Sequence, residues 1–221
     1  MNDQPEKRPQ DDKQDDKQEE PQGQPAAVDE EMDFAQALNE SARLLRANRP
    51  GEAVAILERL HKRFPHDPDV AVNLGGALIL QRKWNRAVRV LEEATRHNPE
   101  STMLWMNLGA ARLGRLETSG PRQQRAAIAA FEQALRIDPQ TPNAHYHLAL
   151  IYKEQGNLSR ASALFQRALE VNPADRDAKY WLDRLSRMIL AQQRKKKAQA
   201  DAQQKEDNPE AGFQAGEEDA A

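Results

Sequence analysis

Few residues in this chain are of the types that carry out chemistry or bind metals. Its 221 residues include five histidines and no cysteine, which excludes a thiol nucleophile, a disulfide and a thiolate metal site. His145 and His147 lie two positions apart, so on a helix their side chains point about 200° away from each other and cannot share a metal ion. We expect His61, His66 and His97 to lack a neighbouring histidine or carboxylate ligand, and therefore predict no metal site.

The chain also lacks the sequence motifs of known catalytic sites. No glycine-rich phosphate loop, metal-binding motif or nucleophile elbow is present. We therefore expect that the protein is not an enzyme and uses no cofactor, so that its function is to bind other molecules.

Charge is unevenly distributed, although the formal net charge is only −3. The net charge is −7 over residues 1–31, +6 over 32–190 and −2 over 191–221. The first 28 residues are mainly Gln, Asp, Lys, Glu and Pro, and such a segment buries too little apolar surface to offset the entropy lost on folding. We predict disordered acidic tails at 1–29 and 201–221, with a folded region at 30–200.

The sequence also indicates where the protein resides. No run of about 18 apolar residues could span a membrane, and the first residues lack the basic and apolar regions of a secretory signal. By elimination, we expect a cytoplasmic protein without a membrane span.

The folded region is built of repeats. A proline closes each unit, with an alanine twelve positions and a Leu or Phe eight positions before it. The prolines are Pro65, Pro99, Pro139 and Pro173, and the alanines are Ala53, Ala87, Ala127 and Ala161. Each unit reads as two amphipathic helices, and the second ends at the proline because proline lacks the amide proton that a helix needs.

These columns resemble those of the tetratricopeptide repeat family. The third unit has the large aromatic residue of the family at Trp105, followed by Leu108-Gly109, Phe131 and Ala134. The resemblance covers about residues 32–190 and implies an all-α fold, an α-solenoid of helix-turn-helix repeats. The expected repeats are 34–67, 68–101, 102–141 and 142–175, followed by a capping helix at 175–197 that frays beyond Lys197.

The helix limits follow from the same pattern. Asp67 before Pro68 and Thr141 before Pro142 each place a capping side chain ahead of a first-turn proline. First helices are predicted at about 30–46, 68–81, 102–114 and 142–155, and second helices at about 51–63, 84–97, 122–137 and 158–171.

In this family the first helices line a concave groove, so their inward columns predict the binding surface. Asn39, Asn73 and Asn107 share one such column, and asparagine is a poor residue for a helix interior. Two interpretations stay open: the amides bind the backbone of a partner peptide, or they bridge helices within the scaffold. The predicted groove residues, including an adjacent apolar column, are Asn39, Asn73, Met106, Asn107, Tyr146 and His147.

The third unit is six residues longer than the others, and the surplus lies between its helices at 114–122. Arg112 also replaces the large apolar residue that the family prefers at its position. The loop with Arg112, Arg115 and Arg122 is a candidate binding edge. The alternative is a tolerated surface insertion, because long loops add little entropic cost.

Three functions are compatible with these features. The first hypothesis is a scaffold or adaptor that binds a peptide or helical segment of an unidentified protein in the groove. The second is binding of an anionic ligand or nucleic acid by the convex arginines. Nucleic acid is disfavoured, because Glu58–Lys62, Glu92–Arg96 and Glu132–Arg136 pairs explain the bases structurally. The third is self-assembly into a homo-oligomer through the groove or the last helix.

Overall fold

Helical hairpins stacked in sequence order make up the part of the protein that its computed structural model describes, residues 33–207. Four hairpins, α1/α2, α3/α4, α5/α6 and α7/α8, are followed by a single long helix. The helices are α1 Phe34–Arg46, α2 Pro50–Arg63, α3 Pro68–Leu80, α4 Trp84–His97, α5 Thr102–Leu113, α6 Pro121–Ile137, α7 Ala144–Glu154, α8 Leu158–Val171 and α9 Arg176–Asp207. The predicted all-α solenoid is confirmed.

Most helix limits agree with the sequence pattern to within about two residues. The Asp67 carboxylate accepts a hydrogen bond from the Val70 amide at 2.9 Å, as its capping position predicts. The predicted cap at Thr141 is wrong: its hydroxyl donates to the Asp138 carbonyl at 2.6 Å, and α7 begins two residues later than expected. The first helix begins at Phe34, and Asp33 before it has a non-helical ψ of 145°; the predicted start at 30 lies outside the described residues.

Small residues on the first helices allow the second helices to pack closely. A Cβ atom on Gly75 would lie 2.6 Å from a methyl carbon of Leu91, and one on Gly109 would lie 2.6 Å from the Phe131 ring. Leu91 and Phe131 are fully buried, as are the alanines of the repeated column. The residues in these repeated columns therefore set the distance between the backbones of the two helices in each hairpin.

Successive hairpins stack through two sets of contacts. The second helix of each hairpin packs on the first helix of the next, and the first helices also lie side by side, α1 on α3 and α3 on α5. We call the surface of α1, α3, α5, α7 and α9 that faces away from the second helices the inner face. These contacts make the face continuous across the first three repeats.

The last helix covers the end of the stack. The Asp175 carboxylate caps it by accepting from the Ala178 amide at 3.0 Å, and Ala178 and Leu185 are buried against α8. This helix, α9, continues to Asp207, past the expected end at 197 and into the predicted tail at 201–221, and its fraying beyond Lys197 stays a prediction. Its terminal Gln, Lys and Ala residues are strong helix formers. The predicted tail at 1–29 lies outside the described residues, as does 208–221.

The six extra residues of the third repeat form an ordered connection. Gly114 leaves α5 with a φ of 63°, a short 3₁₀ turn follows at Leu116–Thr118, and the Gly120 amide donates to the Gln123 side chain at 2.8 Å to start α6. The buried Gln124 donates to the Ser119 carbonyl at 3.0 Å.

Among residues 33–207, no helix is long and apolar enough to cross a membrane.

Candidate functional site

The three asparagines of the inner column make different contacts. The Asn107 amide crosses from α5 to α3 and donates to the Val72 carbonyl at 3.0 Å. The Asn73 amide donates to the Asp69 carbonyl of its own helix at 3.0 Å, and Asn39 is exposed. The contact of Asn107 supports the helix-bridging interpretation at that position, and peptide binding by the column stays a prediction.

His147, which continues this column in the fourth repeat, is packed into the protein. Its ring stacks on Phe131 with centroids 5.2 Å apart and an interplanar angle of 10°. Burial lowers the pKa of His147, because the charged imidazolium would lose its hydration there. The neutral ring is therefore favoured, and its main contact is with the core.

Tyr146 and its neighbours form the most aromatic part of a chain in which only 5% of residues are aromatic. Tyr146 meets Phe165 edge to face at 5.5 Å, and Trp181 of α9 stacks on Phe165 at 6.5 Å. Tyr180 follows at 5.4 Å from Trp181. We call the connected rings the aromatic ridge; its members are Phe131, His147, Tyr146, Phe165, Trp181 and Tyr180.

The ridge runs from the core to the surface. Phe131 and Phe165 are fully buried, Tyr146 and Trp181 are half-buried, and Tyr180 is 54% exposed. Burial raises the pKa of Tyr146, and the nearby carboxylates of Asp177 and Asp175 add to the effect. The buried rings therefore hold the outer rings in place, since each is packed against the next.

Two cations surround the outer end of the ridge. The Lys153 ammonium lies 4.4 Å from the centroid of the Trp181 ring, and the Arg184 guanidinium lies 5.6 Å from it. Arg184 also donates to the Tyr180 hydroxyl at 2.8 Å. A shallow cleft of about 380 Å³ borders Tyr180, Arg184 and Met188. Asp183 and Arg187 also line this cleft, and Lys153 lies 3.8 Å from the Glu154 carboxylate, so the surface combines aromatic area with an excess of positive charge.

The three arginines of the predicted edge loop line one cleft of about 490 Å³, together with Trp84. Arg112 is already engaged: its guanidinium donates to the Glu92 carboxylate at 3.0 Å and to the Ala126 carbonyl at 3.4 Å. Arg115 and Arg122 are exposed at the cleft. The structure therefore brings the three residues together, and ligand binding by them stays a prediction.

The contacts of Arg112 explain why it replaces an apolar residue. In the second and fourth repeats an arginine stands thirteen positions before the closing proline, and it pairs with a glutamate of the preceding repeat. These pairs are Arg86 with Glu58 and Arg160 with Glu132. In the third repeat that position is Ala126, and Arg112 reaches the same place from α5 to pair with Glu92.

The ion pairs predicted within single helices are therefore wrong. Each of the three glutamates instead pairs with an arginine of the following repeat, and these contacts join repeats rather than stabilise one helix. The cause is the stacking of consecutive hairpins, which brings α2 beside α4 and α6 beside α8 at these positions. On the convex side, the glutamate in each pair therefore partly offsets the positive charge of its arginine.

The expectation that the histidines lack partners is wrong for His66 and His97. Together with Glu93 they bring three potential metal-ligand atoms within 4.8 Å of one another, and the two imidazole rings are 3.8 Å apart. The sequence held part of this signal, because Glu93 and His97 are four positions apart on one helix. His66 comes from the preceding turn, and only the stacking of repeats brings it there.

Comparisons with known proteins agree with this architecture. The sequence model of the tetratricopeptide repeat family matches residues 44–110 and 123–185, more than half of the chain. Cellulose synthase operon protein C of Pseudomonas fluorescens (strain SBW25) is 30% identical over 146 residues, or 64% of this chain. The chain spans only 11% of the length of that protein.

Two solved structures share the fold. TTC0263, described as a thermophilic tetratricopeptide protein of Thermus thermophilus, has a TM-score of 0.61 and 21% identity, covering 80% of this chain and 92% of that one. A fragment of MamA from Desulfovibrio magneticus RS-1, from residue 41 to its end, has a TM-score of 0.58 and 23% identity, covering 76% and 90%. At these identities the likeness concerns the fold alone.

Proposed function

The chain belongs to the tetratricopeptide repeat family, and from that premise we propose that it is a scaffold that binds a segment of another protein on its inner face. Proteins of this family generally mediate interactions between proteins. The observation that supports this site is the aromatic ridge, whose outer end is exposed and surrounded by cations. We therefore place the main contact at Tyr180, Trp181 and Arg184, which lie next to the predicted groove residues Tyr146 and His147.

The chemistry of this surface suggests the character of the partner. Tyrosine and tryptophan provide large contact areas with little loss of side-chain entropy, and with arginine they dominate the energetics of protein interfaces. Carboxylates of a partner would pair with Lys153 and Arg184, since charge-assisted hydrogen bonds are the stronger kind. We expect a short segment with an apolar residue flanked by acidic ones.

The other hypotheses are less well supported by the contacts. Arg86 and Arg160 form ion pairs with glutamates of neighbouring repeats, which reduces the positive potential that a convex nucleic-acid site would need. Self-association, a cytoplasmic location and the lack of enzymatic activity stay predictions from the sequence.

Selection from a displayed library of random peptides would test the proposal. We expect peptides selected on the full-length chain to be enriched in Asp and Glu beside an apolar residue. A chain with Tyr180→Ala and Arg184→Ala should bind them at least about tenfold more weakly, because truncated interface anchors cost about 2 kcal/mol or more. Leu80→Ala provides a matched control, since Leu80 is equally exposed, at 54%, but lies at the end of α3.

Two results would contradict the proposal. One is equal binding of the selected peptides to the double variant and to the unaltered chain. The other is a larger loss with Leu80→Ala than with the double variant, which would place the contact in the second repeat. Circular dichroism melting of each variant establishes that the fold is kept.

A further inference from the structure

We propose that His66, Glu93 and His97 form a binding site for a divalent transition-metal ion of the zinc type, and that the ion links the first repeat to the second. The three side chains place one ligand atom each within 4.8 Å of one another. They come from two elements: the turn between α2 and α3, and the last part of α4. The site is separate from the aromatic ridge and independent of the proposed peptide binding.

The α4 half of the site is set by helix geometry. Glu93 and His97 are four positions apart, so both side chains project from the same face of the helix. The same spacing places two metal ligands on one helical face in known zinc motifs. Glu93 is half-buried, which limits its motion, whereas His97 is exposed.

The other half is held against α4 by a side chain at the end of that helix. The side-chain amide of Asn98 donates to the His66 carbonyl at 3.0 Å and to the Ala94 carbonyl at 3.3 Å. The Asp67 amide donates to the Phe64 carbonyl at 3.3 Å, which closes the turn that carries His66. These contacts hold the His66 backbone beside the end of α4, and the two imidazole rings lie 3.8 Å apart with planes inclined by 35°.

The donor set selects the class of ion. Two imidazole nitrogens and one carboxylate oxygen are ligands that suit zinc and its neighbours copper and nickel, whereas magnesium and calcium prefer oxygen ligands. Three protein ligands leave a coordination position for water or for an external ligand.

Only a small movement would bring the ligand atoms to bonding distance. Metal–ligand bonds of about 2.0–2.2 Å place tetrahedral ligand atoms about 3.4 Å apart. The present separations of up to 4.8 Å must therefore shorten by about 1.5 Å at most. Both imidazoles are exposed, so rotation about their side-chain bonds can provide this movement and turn the nitrogens toward one point.

A bound ion would hold the α2–α3 turn to the end of α4. Because the three ligands meet only when these repeats are stacked, the ion would bind the folded chain in preference to the unfolded one and raise its melting temperature. Metal binding at this site would thus stabilise the junction of the first two repeats.

Isothermal titration of the full-length chain, without an affinity tag, with ZnCl₂ would test the proposal. We expect one ion per chain, an increase in melting temperature of about 5 °C in excess Zn²⁺, and no binding of MgCl₂. His66→Ala and His97→Ala should each weaken binding by at least about tenfold. The control His145→Gln alters a histidine of α7 and should leave the affinity unchanged.

The two histidine variants distinguish the possible failures. Binding that is lost with His97→Ala but kept with His66→Ala would mean a site on α4 alone and would overturn the link between repeats. Binding unchanged in both variants, or no tighter for Zn²⁺ than for Mg²⁺, would overturn the site itself. Melting in EDTA shows that the variants fold, which we expect because both side chains are exposed.

Discussion

Replacing Gly109 by alanine tests the close approach of α5 and α6. A Cβ at this position would lie 2.6, 2.7 and 2.8 Å from three carbons of the Phe131 ring. Carbon atoms in favourable contact are about 3.5–4.0 Å apart, so the ring or the helix must move by about 1 Å. Phe131 is fully buried and its ring is rigid, which leaves it no open space to occupy.

The size of the effect follows from two opposing terms. Overpacking a well-filled core costs about 1–3 kcal/mol, while replacing glycine by alanine in a helix contributes about 1 kcal/mol of stability. We expect Gly109→Ala to lower the free energy of unfolding by up to about 2 kcal/mol net, which corresponds to a decrease of up to about 6 °C in melting temperature.

Gly76→Ala is the matched control, because it lies in the corresponding first helix of the second repeat. Its Cβ would meet only the Asn107 amide nitrogen at 3.9 Å, an ordinary contact, so we expect this variant to be more stable by up to about 1 kcal/mol. The helix-propensity term is common to both variants, and their difference isolates the overpacking. Urea denaturation measures both; a Gly109→Ala chain as stable as Gly76→Ala would refute the reasoning.

Two further predictions concern charged and titratable groups. A double-mutant cycle with Glu92→Gln and Arg112→Gln, measured by urea denaturation, should give a coupling energy of about 0.5–1 kcal/mol. The coupling should decrease at high salt, because the ion pair is partly exposed. A coupling energy of zero would show that Arg112 is only tolerated there. Because burial lowers the pKa of His147, the unfolded chain binds more protons between that lowered pKa and about 6.5. The contribution of His147 to the free energy of unfolding should therefore be fully present above this pH window and decrease as the pH falls through it. His147→Gln should reduce the pH dependence of the melting temperature. An unaltered pH dependence would mean that other groups, such as His145, cause it.

The repeat pattern allowed much of the fold to be predicted. Prolines end helices and a capping aspartate starts one through interactions with near neighbours in the chain, so such limits can be read from local sequence. Thr141 is an exception, because its hydroxyl bonds back to the preceding turn instead of capping α7. The length of α9 was underestimated, although its composition favours a helix.

Predictions about the candidate sites were less accurate, because they depend on which repeats touch. Glu58 has a lysine at helical spacing in the sequence, yet it pairs with Arg86 of the next repeat. Asn107 was compatible with peptide binding or helix bridging, and its hydrogen bond to Val72 depends on the distance between α5 and α3. The aromatic ridge was found only in part, since Tyr146 was predicted but its contact with Phe165 links two helices.

The sequence by itself determined that helical hairpins recur, where most of them begin and end, and which columns are small or large, because these depend on local periodicity. It did not determine how closely each pair packs. Opposite a buried phenylalanine the third repeat has Gly109 and the fourth has Ala149, yet of these two hairpins only α5–α6 is too close for a Cβ. That distance, like the meeting of His66 with Glu93 and His97, was decided by tertiary structure, because it depends on side chains from different helices filling a shared space.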